Sequence, residues 1–212
     1  MKIMKSIFQY INEALRIKSG AKITTGPQYN YHPKTKEELS ELLALLIDER
    51  GNEGDFNDID TSEITDMSQL FYKMQYFNGN ISSWDVSNVT NMRQMFSGCK
   101  KFNQPLDKWD VSKVTDTAFM FGFCENFNQP LNNWNVSNVT KMACMFQECF
   151  KFNQPLNNWK VSKVEDMSSM FDTCRSFNQD ISNWKVYKIK AKNRFFMFDN
   201  CPIVEKNKPK FK

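Results

Sequence analysis

Four cysteines recur at a fixed interval, Cys99, Cys124, Cys149 and Cys174, with Cys201 as a displaced fifth member and Cys144 as an extra. Six thiols could form disulfides, hold a metal or supply a nucleophile. A spacing of twenty-five residues is no CxxC pattern, however, and His32 is the only histidine available to complete a zinc set. The column reads instead as buried free thiols acting as small hydrophobes, which suits a reducing compartment. A second candidate is the acidic run 51–66, "GNEGDFNDIDTSEITD". Its Asp55, Asn57, Asp58 and Asp60 miss the calcium-loop order, because Ile59 falls at a ligand position and the loop glycine is absent. His32 lies in a linker without an obvious nucleophile, no glycine-rich phosphate loop exists, and no glycine follows Gly122. The expectation is a protein that is not an enzyme and carries no cofactor or metal.

These residues must be held by something, and 212 residues with 41% hydrophobic content suffice for a core. No apolar run reaches the length of a membrane span. The start "MKIMKSIFQYINEALRIKSGAK" is broken by Gln9, Asn12, Glu13 and Arg16, so it reads as neither a secretory signal nor a lipobox. A cytoplasmic or virion-associated setting is therefore expected over a cell surface. Net charge is +4, unevenly spread. Residues 31–66 carry eleven acidic against three basic side chains, and residues 185–212 nine basic against two acidic. No basic face runs along the middle, which speaks against nucleic acid. The basic end 202–212 reads as a solvated tail.

The middle is a repeat. Tryptophans fall at 84, 109, 134, 159 and 184, which is every tryptophan in the chain, and the pairs Phe77-Asn78 to Phe177-Asn178 keep the same period. Phe71, Phe96, Phe121, Phe146 and Phe171 form another column. A degenerate first turn and a final turn with a two-residue insertion bring the total to about six coils. In "PLDKWDVS" the alternation of Trp109 and Val111 predicts a short strand. Val114, Thr117, Phe121, Cys124 and Phe127 then recur at three- to four-residue steps, which predicts a short helix with Thr90, Thr115 and Thr140 as N-caps. The fold expected is α/β: a leucine-rich-repeat-like solenoid of about six 25-residue coils, each a short parallel strand plus a short helix.

The unit "WDVSNVTNMRQMFSGCKKFNQPL" resembles the repeat of the BspA-type family of leucine-rich-repeat surface proteins, over residues 56–201. That resemblance implies a curved α/β solenoid and a role in adhesion or protein binding, with no shared catalytic site.

Buried columns repeat while exposed ones drift, so the repeating Asn78, Asn103, Asn128, Asn153 and Asn178 are expected to be buried and to bond main-chain groups of the next coil. Between the core positions the strand face would present Lys108 and Asp110, then Asn133 and Asn135, Asn158 and Lys160, and finally Asn183, Lys185 and Tyr187. This polar face is the candidate surface for a protein or glycan partner. Ahead of the repeats, "PKTKEELSELLALLIDERGN" predicts a helix with a Thr35–Glu38 capping box, a Leu39-Leu42-Leu43-Leu46-Ile47 stripe and Gly51 after its end. Its expected role is to cap the first coil. The organisation is then 1–32, a short helix and linker; 33–54, the capping helix; 55–201, the repeats; and 202–212, the tail. Helix-plus-linker starts like residues 1–30 resemble those of proteins encoded by bacteriophages of gut bacteria. They suggest an alternative role as a structural or virion-associated protein tethered through that helix. The oligomeric state is open.

Overall fold

The computed structural model describes residues 29–211. The short helix expected near the N-terminus lies outside them. One α-helix is present among the described residues, α1, Lys36–Arg50. The Thr35 side chain accepts the Glu38 N–H and Glu38 accepts the Lys34 N–H at 2.7 Å. Gly51, at φ +77°, donates to the Ile47 carbonyl and ends the helix. Leu39, Leu42, Leu43 and Leu46 are buried and belong to the same apolar cluster as the repeats, so α1 covers the open end of the first coil.

From Phe56 onward the chain runs as stacked 25-residue coils, starting again at Ile81, Leu106, Leu131, Leu156 and Ile181. Neither the strand nor the helix expected in each coil is found. Where the helix was expected, alternate N–H groups cross to the next coil: Met92 to Asp116 O, Gln94 to Ala118 O, Phe96 to Met120 O and Gly98 to Gly122 O, at 2.8–2.9 Å. The N–H groups between them close tight turns three residues back, as Met95 to Met92 O and Cys99 to Phe96 O do. Left-handed residues recur every fourth position, such as Gln94 and Gly98, Phe119 and Phe123, Cys144 and Glu148. A helix cannot contain them, since it needs right-handed φ throughout and spends its N–H groups internally. Thr90, Thr115 and Thr140 are not N-caps; each gives its N–H and its hydroxyl to the threonine or equivalent carbonyl one coil back. Where the strand was expected, the Trp–Val segment is a pair of turns, and the parallel bridges lie elsewhere, linking Asp66, Asn91, Asp116, Lys141 and Asp166.

The core is built of ladders. Phe96, Phe121, Phe146 and Phe171 stack on successive coils with centroids 5.6–5.7 Å apart, and each lies 4.1–4.2 Å from the Phe of its own FN pair. Each buried indole donates to a carbonyl of the preceding coil, Trp134 to Leu106 O at 2.9 Å for example. Each thiol of the cysteine column does the same, Cys124 to Phe96 O at 3.0 Å.

At the far end the two-residue insertion shifts the crossing bonds from an offset of 24 to 26: Met167 to Asn193 O and Phe171 to Met197 O. The final residues are not a solvated tail. Val204 N–H bonds the Asn178 side chain, Asn207 O accepts the Ile181 N–H, Ile203 and Pro209 are buried, and Arg194 lies 4.5 Å over the Phe211 ring. They strap the last coil as α1 caps the first.

Candidate functional site

All nine residues of the candidate face are exposed, from Lys108 to Tyr187, with Trp109, Trp134, Trp159 and Trp184 buried between them. Their neighbours show which side chains are committed to the fold. Asp110 Oδ1 accepts the Ser112 N–H at 3.0 Å, and the Ser112 hydroxyl and N–H hold its carboxyl below the ordinary value. Asn135 accepts the Ser137 N–H in the same turn one coil on. Asn183 Nδ2 reaches the Asn157 carbonyl at 2.7 Å. These three serve local turns or coil-to-coil bonding. No hydrogen bond or ion pair engages the side chains of Lys108, Asn133, Asn158, Lys160 or Lys185 among the described residues.

The main chain makes no coil-to-coil ladder along this face. Side-chain amides link it instead: Asn132 Oδ1 accepts the Asn158 N–H at 3.0 Å, and its Nδ2 donates to Asn157 Oδ1. Between the fifth and last coils this leaves an open depression of about 490 Å³ lined by Asn157, Asn158, Lys160, Ser162, Asn183 and Lys185, with Trp159 and Val161 at its floor. Amides and two ammonium groups around an aromatic wall can hold a polar or acidic group by hydrogen bonds and charge.

The Asn column of the FN pairs bonds as expected but is half-buried or exposed, not buried. Each Oδ1 accepts the main-chain N–H of the next member: Asn78 from Asn103, Asn103 from Asn128, Asn128 from Asn153 and Asn153 from Asn178, at 2.9–3.1 Å. The amide can sit at the surface because its work is to satisfy a main-chain donor at the corner, where turns leave none of the usual acceptors.

The thiols carry no reactive signature. Burial pushes Cys99 up to about 12 and Cys144, only half-buried, to about 11, and it raises Cys124, Cys149 and Cys174 well above the ordinary thiol value. No cluster of metal-ligating side chains occurs among the described residues, and no helix there is long and apolar enough to cross a membrane. The acidic run belongs to the first coil's own architecture. Asp58 takes a two-pronged contact from Arg50 at 2.7 and 3.0 Å, Asp60 faces His32 at 3.0 Å and the Ser62 hydroxyl at 2.7 Å, and Asp55 caps the Asn57 N–H.

Two features escaped the sequence. The Arg50–Asp58 lock joins residues on either side of an irregular loop, with no periodic signal to mark it. The basic groove of Lys188, Lys190 and Lys192 beside Glu165 arises at the inserted residues, where the repeat register is lost.

No curated protein and no solved structure matches the chain. One family model matches twice in overlapping segments, at residues 42–151 and 112–211, as a repeated unit should. The chain thus belongs to the family described as Mycoplasma protein of unknown function, DUF285.

Proposed function

We propose that the protein is a non-catalytic binding module, a solenoid of 25-residue coils that presents its polar Trp–Val face to a protein or glycan partner. The observation that carries this reading is the split within that face. Asp110, Asn135 and Asn183 are occupied by the fold, whereas Lys160 and Lys185 stand exposed around the depression over Trp159 and have no hydrogen-bond or ion-pair partner among the described residues. The resemblance of the unit to BspA-type repeats supports an adhesive or protein-binding role. Lysines and amides together favour a partner bearing carboxylate, sulfate or phosphate groups on a polar surface.

A photo-crosslinking residue placed at Asn158 of the full chain, in extracts of the native source, tests it. A discrete adduct is expected that falls at least tenfold in Lys160→Glu/Lys185→Glu while the melting temperature stays unchanged. An adduct indifferent to the charge reversal, or the same yield from a crosslinker on the opposite side at Ser169, would remove this face from consideration.

A further inference from the structure

We propose that the molecule self-associates head to tail, the C-terminal end of one copy docking on the N-terminal end of the next. The tail end of the stack is unfinished. In every earlier coil the N–H groups that correspond to those of Phe196, Phe198 and Asn200 cross to a following coil, as Ser169, Phe171 and Thr173 do. In the last coil these three donors meet no acceptor among the described residues, and the strap 203–211 bonds other groups. Beside this open edge Phe195 and Phe196 are 60% and 61% exposed, whereas most other phenylalanines among the described residues are fully buried. Open edges flanked by exposed aromatics invite pairing.

Charge identifies the occupant. The tail is basic, nine against two over residues 185–212, and its Lys188, Lys190 and Lys192 line one groove. The head is acidic, eleven against three over residues 31–66. On α1 the exposed Glu37, Glu41 and Asp48 fall on one stripe, opposite the buried leucines, and therefore point away from the stack. Like ends cannot pair, since tail against tail would set cation against cation and donor against donor. The contact is therefore heterologous, and heterologous contacts that do not close build open chains.

Sedimentation velocity of the full chain tests this at about 20 mM and about 500 mM salt, where the screening length falls from ~20 Å to ~4 Å. Concentration-dependent association is expected at low salt and its loss at high salt. Lys188→Glu/Lys190→Glu/Lys192→Glu and Glu41→Lys/Asp48→Lys, each checked for native circular dichroism, should be monomeric alone. Mixed, they should associate again, because each supplies the complement of the other. Phe195→Ser/Phe196→Ser should weaken wild-type association at least tenfold. A wild-type chain monomeric at low salt, association that survives either charge reversal alone, or a mixture that stays monomeric overturns the proposal.

Discussion

At the residue scale, each side chain of the Trp, Cys and Asn columns answers a main-chain group of a neighbouring coil. Replacing Trp134 by Phe keeps one aromatic ring but removes the N–H, and leaves the Leu106 carbonyl without its buried donor. Chemical denaturation should show a loss of about 1–3 kcal/mol. Asn128 is half-exposed, so water can replace part of what it gives the Asn153 N–H. Asn128→Ala should cost about 1 kcal/mol, the lower part of the range a fully buried amide would imply, and Asn128→Asp, which keeps the acceptor oxygen, should cost less. A full 3 kcal/mol for the alanine would mean that the corner excludes water. The thiols answer to the same logic. With burial holding their acidity far down, iodoacetamide at pH 8 should leave Cys99, Cys124, Cys149 and Cys174 unmodified in the native protein, with Cys144 reacting slowly and all six reacting in urea. Mass spectrometry of the labelled peptides reads this directly.

At the element scale, register was legible in the sequence and element type was not. Trp, Phe, Cys and Asn columns repeat because each meets the same partner one coil away, and that fixed which residues meet. The spacing of Val114, Phe121, Cys124 and Phe127 looked helical because a chain of tight turns also returns side chains to one side every three to four residues. What distinguishes it is left-handed backbone at Gln94, Phe119, Phe123, Cys144 and Glu148, and those positions share no residue type that would announce it. α1 was legible because capping and amphipathic signals act locally. Its attachment was not, since Arg50–Asp58, His32–Asp60 and Lys36–Asp66 are unique to the first coil. Partial burial opposes ionisation of Asp58, Asp60 and Asp66, yet hydrogen bonds from Arg50, Asn30, Ser62 and Ser68 outweigh it and hold all three below the ordinary value. A depressed folded pKa contributes stability above the unfolded value, and that stability is lost as pH falls through the folded one. Below about pH 4 the cap should therefore loosen first. Amide exchange of α1 is expected to accelerate in that window before the coils do, and Asp58→Asn should blunt the pH dependence. Simultaneous exchange of cap and coils would show that these carboxylates do not hold the cap separately.

At the scale of the whole molecule, a stack whose units contact only their neighbours should tolerate loss of a unit but not loss of register. Removing residues 131–155 joins Pro130 to Leu156 and keeps every ladder in phase: Trp159 meets the Leu106 coil, and Asn153's role passes to Asn178. Such a chain should unfold cooperatively in urea, with a denaturant slope lower by about a sixth because one coil in six no longer exposes its surface. Removing residues 131–154 deletes one residue fewer, and the remaining extra residue must be absorbed within a corner. The two-residue insertion before Asn193 shows how the fold accommodates a register change, at the final coil, where no further coil has to follow. In the middle the same error would set the indole of Trp159 and the thiol of Cys174 against the wrong carbonyls of the Leu106 coil, and the main-chain ladder across that junction with them. The 24-residue deletion should accordingly lose its sharp transition or accumulate as aggregate. A sharp transition of wild-type steepness from it would mean that the coils are coupled far more loosely than their ladders imply.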